Sequence, residues 1–148
     1  MQHFSLSSDI CIAQVQATPL HVLDLAVTVH AGFPSPAEDI GAKRIDLTAQ
    51  LIKHPQATFL LRARGDSMRE AGIFDGDVLV VDKAVTAKNG HVVIAVIDGE
   101  MVCKQLQIRA GRMKLKAANP SYPDIVPKEG QVVEVWGVVT ASIKTMPV

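Results

Sequence analysis

A serine and a lysine, 37 positions apart, are of the residue types that a serine-lysine catalytic dyad requires. Ser67 lies in the segment RARGDSMREAGIFDGDVLVVD, at a polar turn between two runs of strand-forming residues. Lys104 follows an Asp-Gly hairpin signal, and strand alternation places Val102 and Leu106 on its own face. Burial there would lower the pKa of the lysine, and a neutral amine can take the proton of a serine hydroxyl.

A structural interpretation of the two residues stands beside the catalytic one. A serine in a Gly-Asp turn commonly serves the turn itself, and a lysine on a strand commonly extends to solvent. Spacing and periodicity alone leave both interpretations open for Ser67 and Lys104.

The elements that must position these residues are predicted to be short strands from Ala57 onward. Runs rich in Val and Ile alternate with Gly, Asp and Asn turn signals, which is typical of a compact, mainly antiparallel barrel or sandwich. A capping box that begins at Ser35, together with the spacing of later apolar residues, predicts one or two short helices between residues 36 and 54. The predicted strands are ATFLLRA, DVLVVD, HVVIAVI, MVCKQLQI, RMKLKA and VVEVWGVVTASI.

Length and composition limit the classes of protein to which the chain can belong. The chain has 148 residues, of which 48% are hydrophobic, so it can bury one substantial core. No apolar run approaches the roughly 20 residues of a membrane helix, and the first residues lack the positive start of a secretory signal. We therefore expect a cytoplasmic protein without a membrane anchor. The two cysteines and five histidines are scattered, so neither a metal site nor another cofactor is expected.

Charged residues are distributed unevenly along the chain. No Lys or Arg precedes Lys43, so the first 42 residues carry −4, and the remaining residues carry +4. Residues 1–31 are predicted to be a weakly structured arm, and the proline-containing stretch HAGFPSPAED after it is predicted to be a linker. No stripe along the sequence is basic enough to indicate DNA binding by charge alone.

The segments ARGDSM, GIFDGDVLVVD and NGHVVIAVIDGEMVCKQL, in this order, resemble the LexA/UmuD family of self-cleaving S24 serine peptidases. The resemblance extends from AGFPSPAED to VEVWGVVTASIK. It implies a compact antiparallel β-clip or barrel-like peptidase domain over residues 57–148, a linker with short helices over 32–56, and a flexible arm over 1–31. It also implies that Ser67 is the nucleophile, that Lys104 is its general base, and that the bond cleaved joins Ala31 to Gly32.

The short arm, with no basic residue, resembles that of the UmuD-like members and not that of the repressors. Such a protein is expected to form a homodimer and to cleave itself when a RecA filament on single-stranded DNA stimulates it. The product, residues 32–148, would join a UmuC-type Y-family polymerase in SOS translesion synthesis, without direct sequence-specific DNA binding. The alternatives are a non-catalytic polymerase-docking module, a truncated LexA-type repressor, and a type I signal peptidase, which would need a membrane anchor.

Overall fold

The structure is a computed structural model that describes residues 13–14, 18–25, 29 and 41–148. These residues divide into two compact units. The larger unit contains residues 13–14 and 54–148, and the smaller one contains 18–25, 29 and 41–53. None of the helices in the described ranges is long or apolar enough to cross a membrane.

The described residues form nine strands, and seven of them make up the sheet of the larger unit in the order β1-β4-β5-β9-β6-β7-β8. Every ladder in this sheet is antiparallel. The mainly β, antiparallel fold predicted from the sequence is therefore confirmed. The strands are β1 (Ala13–Gln14), β2 (His21–Asp24), β3 (Lys43–Asp46), β4 (Thr58–Arg62), β5 (Val78–Asp82), β6 (Val92–Ile97), β7 (Glu100–Arg109), β8 (Arg112–Lys116) and β9 (Val133–Ile143).

The hairpin that carries Lys104 forms where the Asp-Gly signal predicts it. Strands β6 and β7 pair directly from Ile97 and Glu100 inward, which leaves a two-residue turn. Both turn residues have positive φ, 50° for Asp98 and 79° for Gly99, the backbone that tight hairpin turns require. Each of the six predicted strands corresponds to one of β4–β9.

The smaller unit combines a strand pair with a short helix. Strands β2 and β3 pair antiparallel, and helix α1 (Leu47–Leu51) follows directly, with the Asp46 carboxylate accepting the Ala49 N–H at 3.3 Å. Helix α1 lies within the range predicted to be helical. Residues 43–46 of that range are strand, because the ladder with β2 satisfies their backbone groups. The capping box at Ser35 lies outside the described residues.

The core lies on both faces of strand β6, which pairs with β9 on one side and with β7 on the other. Val93, Ala95 and Ile97 belong to one apolar cluster, whereas Ile94 belongs to another that also contains Met68. Burial on both faces explains why VVIAVI lacks polar alternation. The second cluster packs beneath the turn that carries Ser67, so the sheet supports that turn from below.

Candidate active site

The structure brings the two predicted residues into direct contact. Lys104 Nζ lies 2.7 Å from Ser67 Oγ and donates a hydrogen bond to it. Ser67 lies in the turn after β4, and Lys104 lies in the middle of β7. When the amine is neutral, the same short contact allows the serine hydroxyl to donate its proton to Nζ.

Burial shifts the proton equilibrium of Lys104 in the direction that a general base needs. The lysine is half-buried, and desolvation of its ammonium lowers its pKa from the ordinary value of 10.5. A smaller opposing effect comes from the charge that the neighbouring Cys103 would carry as a thiolate. Burial raises the pKa of the Cys103 thiol to about 11, so at neutral pH the thiol carries no charge that would hold a proton on Lys104.

A cleft of about 320 Å³ opens beside the two side chains. One wall is residues 61–65, the end of β4 and the following turn, and the facing wall is residues 101–104 of β7. Within the described residues, the strand part of each wall pairs with a neighbouring strand on one side only. Leu61 and Arg62 pair with β5, and β1 reaches only as far as Leu60 on their other side. Residues 101–104 pair with β6, and β8 pairs with β7 only from Gln105 onward. An extended peptide in the cleft can therefore hydrogen-bond to the backbone of β7 between Met101 and Lys104, on the side where the described residues provide no strand partner.

Comparison with known proteins gives the family to which this site belongs. Residues 23–140 match the family described as Peptidase S24-like. The chain belongs to that family. The resemblance to LexA/UmuD peptidases inferred from the motifs is thus confirmed at family level, and the contact between Ser67 and Lys104 lies within the matched region.

Relatives of the S24-like chain cover most of its length. Protein SamA of Salmonella typhimurium strain LT2 is 50% identical over 113 residues, which are 76% of this chain and 78% of SamA. Protein MucA of Escherichia coli is 41% identical over 121 residues, which are 81% and 82% of the two chains. The LexA repressor of Paracidovorax citrulli is 36% identical over 123 residues, which are 83% of this chain but 54% of the repressor.

The turn that carries Ser67 is anchored by Ala118 and Asn119, which follow β8 and lie outside the regular strands. The Ala118 N–H donates to the Ser67 carbonyl at 2.8 Å, and the Ala118 carbonyl accepts the Glu70 N–H at 2.8 Å. The Asn119 amide donates to the Asp66 carbonyl at 2.8 Å. This S24-like chain therefore clamps the serine from both sides. The sequence has Asn119-Pro120 here, a pair typical of a turn, and such a pair does not indicate a contact with Asp66.

A buried carboxylate ties the end of the same loop to the last strand. Asp77 is 3% exposed and accepts hydrogen bonds from the Phe74 N–H and the Ser142 hydroxyl. Lys144 pairs with its other oxygen and also lies over the Phe74 ring at 4.3 Å. The hydrogen bond from Lys144, and then that from the Phe74 N–H, lower the pKa of Asp77. The segment from Ser67 to Asp77 is thus held to β9.

Asp77→Asn is expected to destabilise the fold by about 1–3 kcal/mol, because the lysine and two donors lose a charged buried acceptor. The pKa of Asp77 is lower in the folded chain than the ordinary 3.8. Its contribution to the free energy of unfolding is therefore complete above about pH 4 and disappears as pH falls through the folded value. Urea unfolding at neutral pH and at about pH 3 measures both effects.

Asp124→Asn is the matched control for that prediction. Its carboxylate also has a lowered pKa, caused first by the hydrogen bond from Lys114, but the pair is more exposed. Solvent screens such a pair, so a smaller loss of stability is expected. Equal losses of stability in the two variants would contradict the prediction that the buried carboxylate of Asp77 contributes more than an exposed one.

The sequence also led to predictions about metal binding and about the two residues of the cleavage site. Among the described residues, no group of three or more His, Cys, Asp or Glu side chains could hold a metal ion. Ala31 and Gly32, the residues predicted to flank the cleaved bond, lie outside the described residues.

Proposed function

We propose that the chain is a UmuD-like peptidase that cleaves itself between Ala31 and Gly32 through a dyad of Ser67 and Lys104. The observation that carries this proposal is the 2.7 Å contact between Lys104 Nζ and Ser67 Oγ at the edge of a peptide-sized cleft. Residues 32–148, freed of the arm, act as the accessory subunit of a UmuC-type Y-family polymerase in the SOS response.

The chemistry proceeds in two acyl-transfer steps. Neutral Lys104 takes the proton of Ser67, and Oγ attacks the carbonyl carbon of Ala31. The Lys104 ammonium then protonates the amine of Gly32 as the peptide bond breaks, which leaves Ala31 as an ester on Ser67. Lys104 next takes a proton from water, the hydroxide attacks the ester, and collapse returns the proton to Ser67 Oγ.

Backbone donors in the Ser67 turn suit the negative charge that develops on the Ala31 carbonyl oxygen. Within the described residues, no hydrogen bond uses the N–H of Ser67 or of Met68. The clamp by Ala118 and Asn119 holds these groups in place without occupying them. Fixed N–H donors of this kind stabilise a tetrahedral intermediate by about 3–4 kcal/mol each.

The substrate is the linker of the chain's own arm. The stretch LAVTVHAGF before and across the bond is apolar and rich in β-branched residues, which suits an extended strand between the two half-paired walls of the cleft. Tethering the substrate to the enzyme supplies a high effective concentration, which favours self-cleavage over cleavage of other proteins.

The wider assignment draws on the relatives. The alignments with SamA and MucA cover about four fifths of each of those proteins, whereas the alignment with the LexA repressor covers 54% of it. The UmuD-like role brings with it a cytoplasmic homodimer and a RecA filament on single-stranded DNA as the stimulus for cleavage.

The test is the intact mass of the purified full chain after incubation at neutral pH and at about pH 10, where more of the lysine is neutral. Two fragments that meet between Ala31 and Gly32, formed faster at the higher pH, are expected. A RecA filament with nucleotide and single-stranded DNA should produce the same fragments at neutral pH. A chain that stays whole under both conditions would contradict self-cleavage and favour a non-catalytic polymerase-docking module.

A further inference from the structure

We infer that the outer face of the β7–β8 hairpin binds the phosphate backbone of duplex DNA, independently of base sequence. The face consists of the side chains that the register places opposite each other and away from the core. These are Gln105 with Lys116, Gln107 with Lys114, and Arg109 with Arg112. This inference does not require self-cleavage and concerns a surface separate from the cleft.

Strand alternation sorts the hairpin into one apolar and one basic face. Leu106 and Leu115 form a cross-strand pair, are 2% and 0% exposed, and belong to the core. The residues on either side of them in both strands point the other way. That outer face carries four cations and two glutamines, and neither β7 nor β8 contributes an acidic residue to it.

Two positive charges face each other at the tip of the hairpin, and their repulsion lowers the stability of the unbound chain. Arg109 and Arg112 are directly opposite each other and exposed, and like charges in such a pair repel. Neither arginine takes part in an ion pair within the described residues. A ligand with negative charge would remove this repulsion, which is the first reason for assigning an anionic partner.

Acidic residues from neighbouring segments lie near Lys114 and Lys116, the two cations below the tip. Asp124 pairs with Lys114 at 2.9 Å, and Glu70 lines the same small cavity as Lys116. The tip pair therefore remains uncompensated, and the net charge of the whole group stays positive. Association with the phosphate backbone is accordingly expected to be led by Arg109 and Arg112.

The spacing and chemistry of the side chains fit DNA phosphates. Arg112, Lys114 and Lys116 alternate along an extended strand, so their Cα atoms are about 6.7 Å apart and can reach separate phosphates. Arginine, lysine and glutamine side chains are typical donors to phosphate oxygens, although the Gln105 amide already donates to the Gly90 carbonyl at 3.2 Å. The face contains no aromatic residue, so it lacks the stacking platform of single-strand binders. A two-stranded ribbon also fits the major groove of a duplex.

The experiment measures binding of a fluorescent, random-sequence DNA duplex by anisotropy at a series of salt concentrations. The protein is the full chain carrying Ser67→Ala, so that self-cleavage cannot change it during the titration. If all four cations contact phosphates, the slope of log K against log salt concentration is expected to be about −3.6. Arg109→Gln/Arg112→Gln should weaken the slope to about −1.8 and lower the affinity at low salt by about tenfold or more.

The matched control removes the same two charges from β3, as Lys43→Gln/Arg44→Gln, both of which are exposed. Its binding should equal that of the parent chain. An equal loss in the control, no loss in the Arg109/Arg112 variant, or no measurable duplex binding at about 50 mM salt would overturn the inference. Tighter binding of single-stranded DNA of the same length would also overturn it.

Discussion

Lys104→Ala is expected to lower the rate of self-cleavage between Ala31 and Gly32 by about 10³-fold or more, because no other base lies within reach of Ser67 Oγ among the described residues. Lys104→Arg should be equally inactive, since a guanidinium stays charged and cannot accept the proton. The measurement is the appearance of the two fragments by intact mass over time, at neutral pH and at about pH 10.

The pH profile of the unaltered chain tests the same role from another direction. The active form of Lys104 is the neutral amine, whose fraction rises with pH until the folded pKa is passed. Because burial lowers that pKa from 10.5, the cleavage rate should rise with pH and level off below pH 10.5. A flat profile would contradict lysine as the base.

Lys128→Ala serves as the control for the lysine variants. Lys128 is exposed, and no hydrogen bond within the described residues involves its amine. Cleavage by this variant should match that of the unaltered chain. Lys104→Ala cleaving at a comparable rate would place the general base elsewhere.

Ser67→Ala is expected to abolish the fragments altogether, since the variant has no oxygen to form the ester with Ala31. Its stability should change little, because the only hydrogen-bond partner of the Ser67 hydroxyl among the described residues is Lys104. Urea unfolding beside the mass measurement separates a chemical effect from misfolding.

Ser121→Ala removes a hydroxyl from a nearby turn without touching the dyad. The backbone N–H of Ser121, and not its hydroxyl, makes the contact with Asn119, so the turn should persist. This control should cleave at the normal rate. Fragments from Ser67→Ala with the same masses would show that another group, or a contaminating peptidase, cuts the linker.

The alternation of apolar runs and turn residues determined the strands of this protein. Runs such as DVLVVD and HVVIAVI are β-branched, and their flanking Asp-Gly and Asn-Gly pairs favour positive φ, so local preference and fold agree. The strand alternation around Lys104 was equally local. These features depend on neighbours within a few residues, which is why they could be predicted.

Local patterns failed where a distant partner decided the outcome. Residues 43–46 lie within the range predicted to be helical but form a strand, because β2, some 20 residues earlier, satisfies their backbone groups. Likewise, Asn119 looked like an ordinary turn residue, although its amide holds the Asp66 carbonyl 53 positions away. No periodicity within a short window contains such information.

The tertiary structure decided that Ser67 and Lys104 lie in direct contact. The sequence supplied a turn serine and an inward-facing lysine, but the 2.7 Å separation across 37 positions depends on how the two walls of the cleft meet. The basic face of the hairpin has the same origin. Its cations lie within eight residues of the sequence, but only the pairing of β7 with β8 sets Arg109 opposite Arg112, because register decides which side chains of two strands lie side by side.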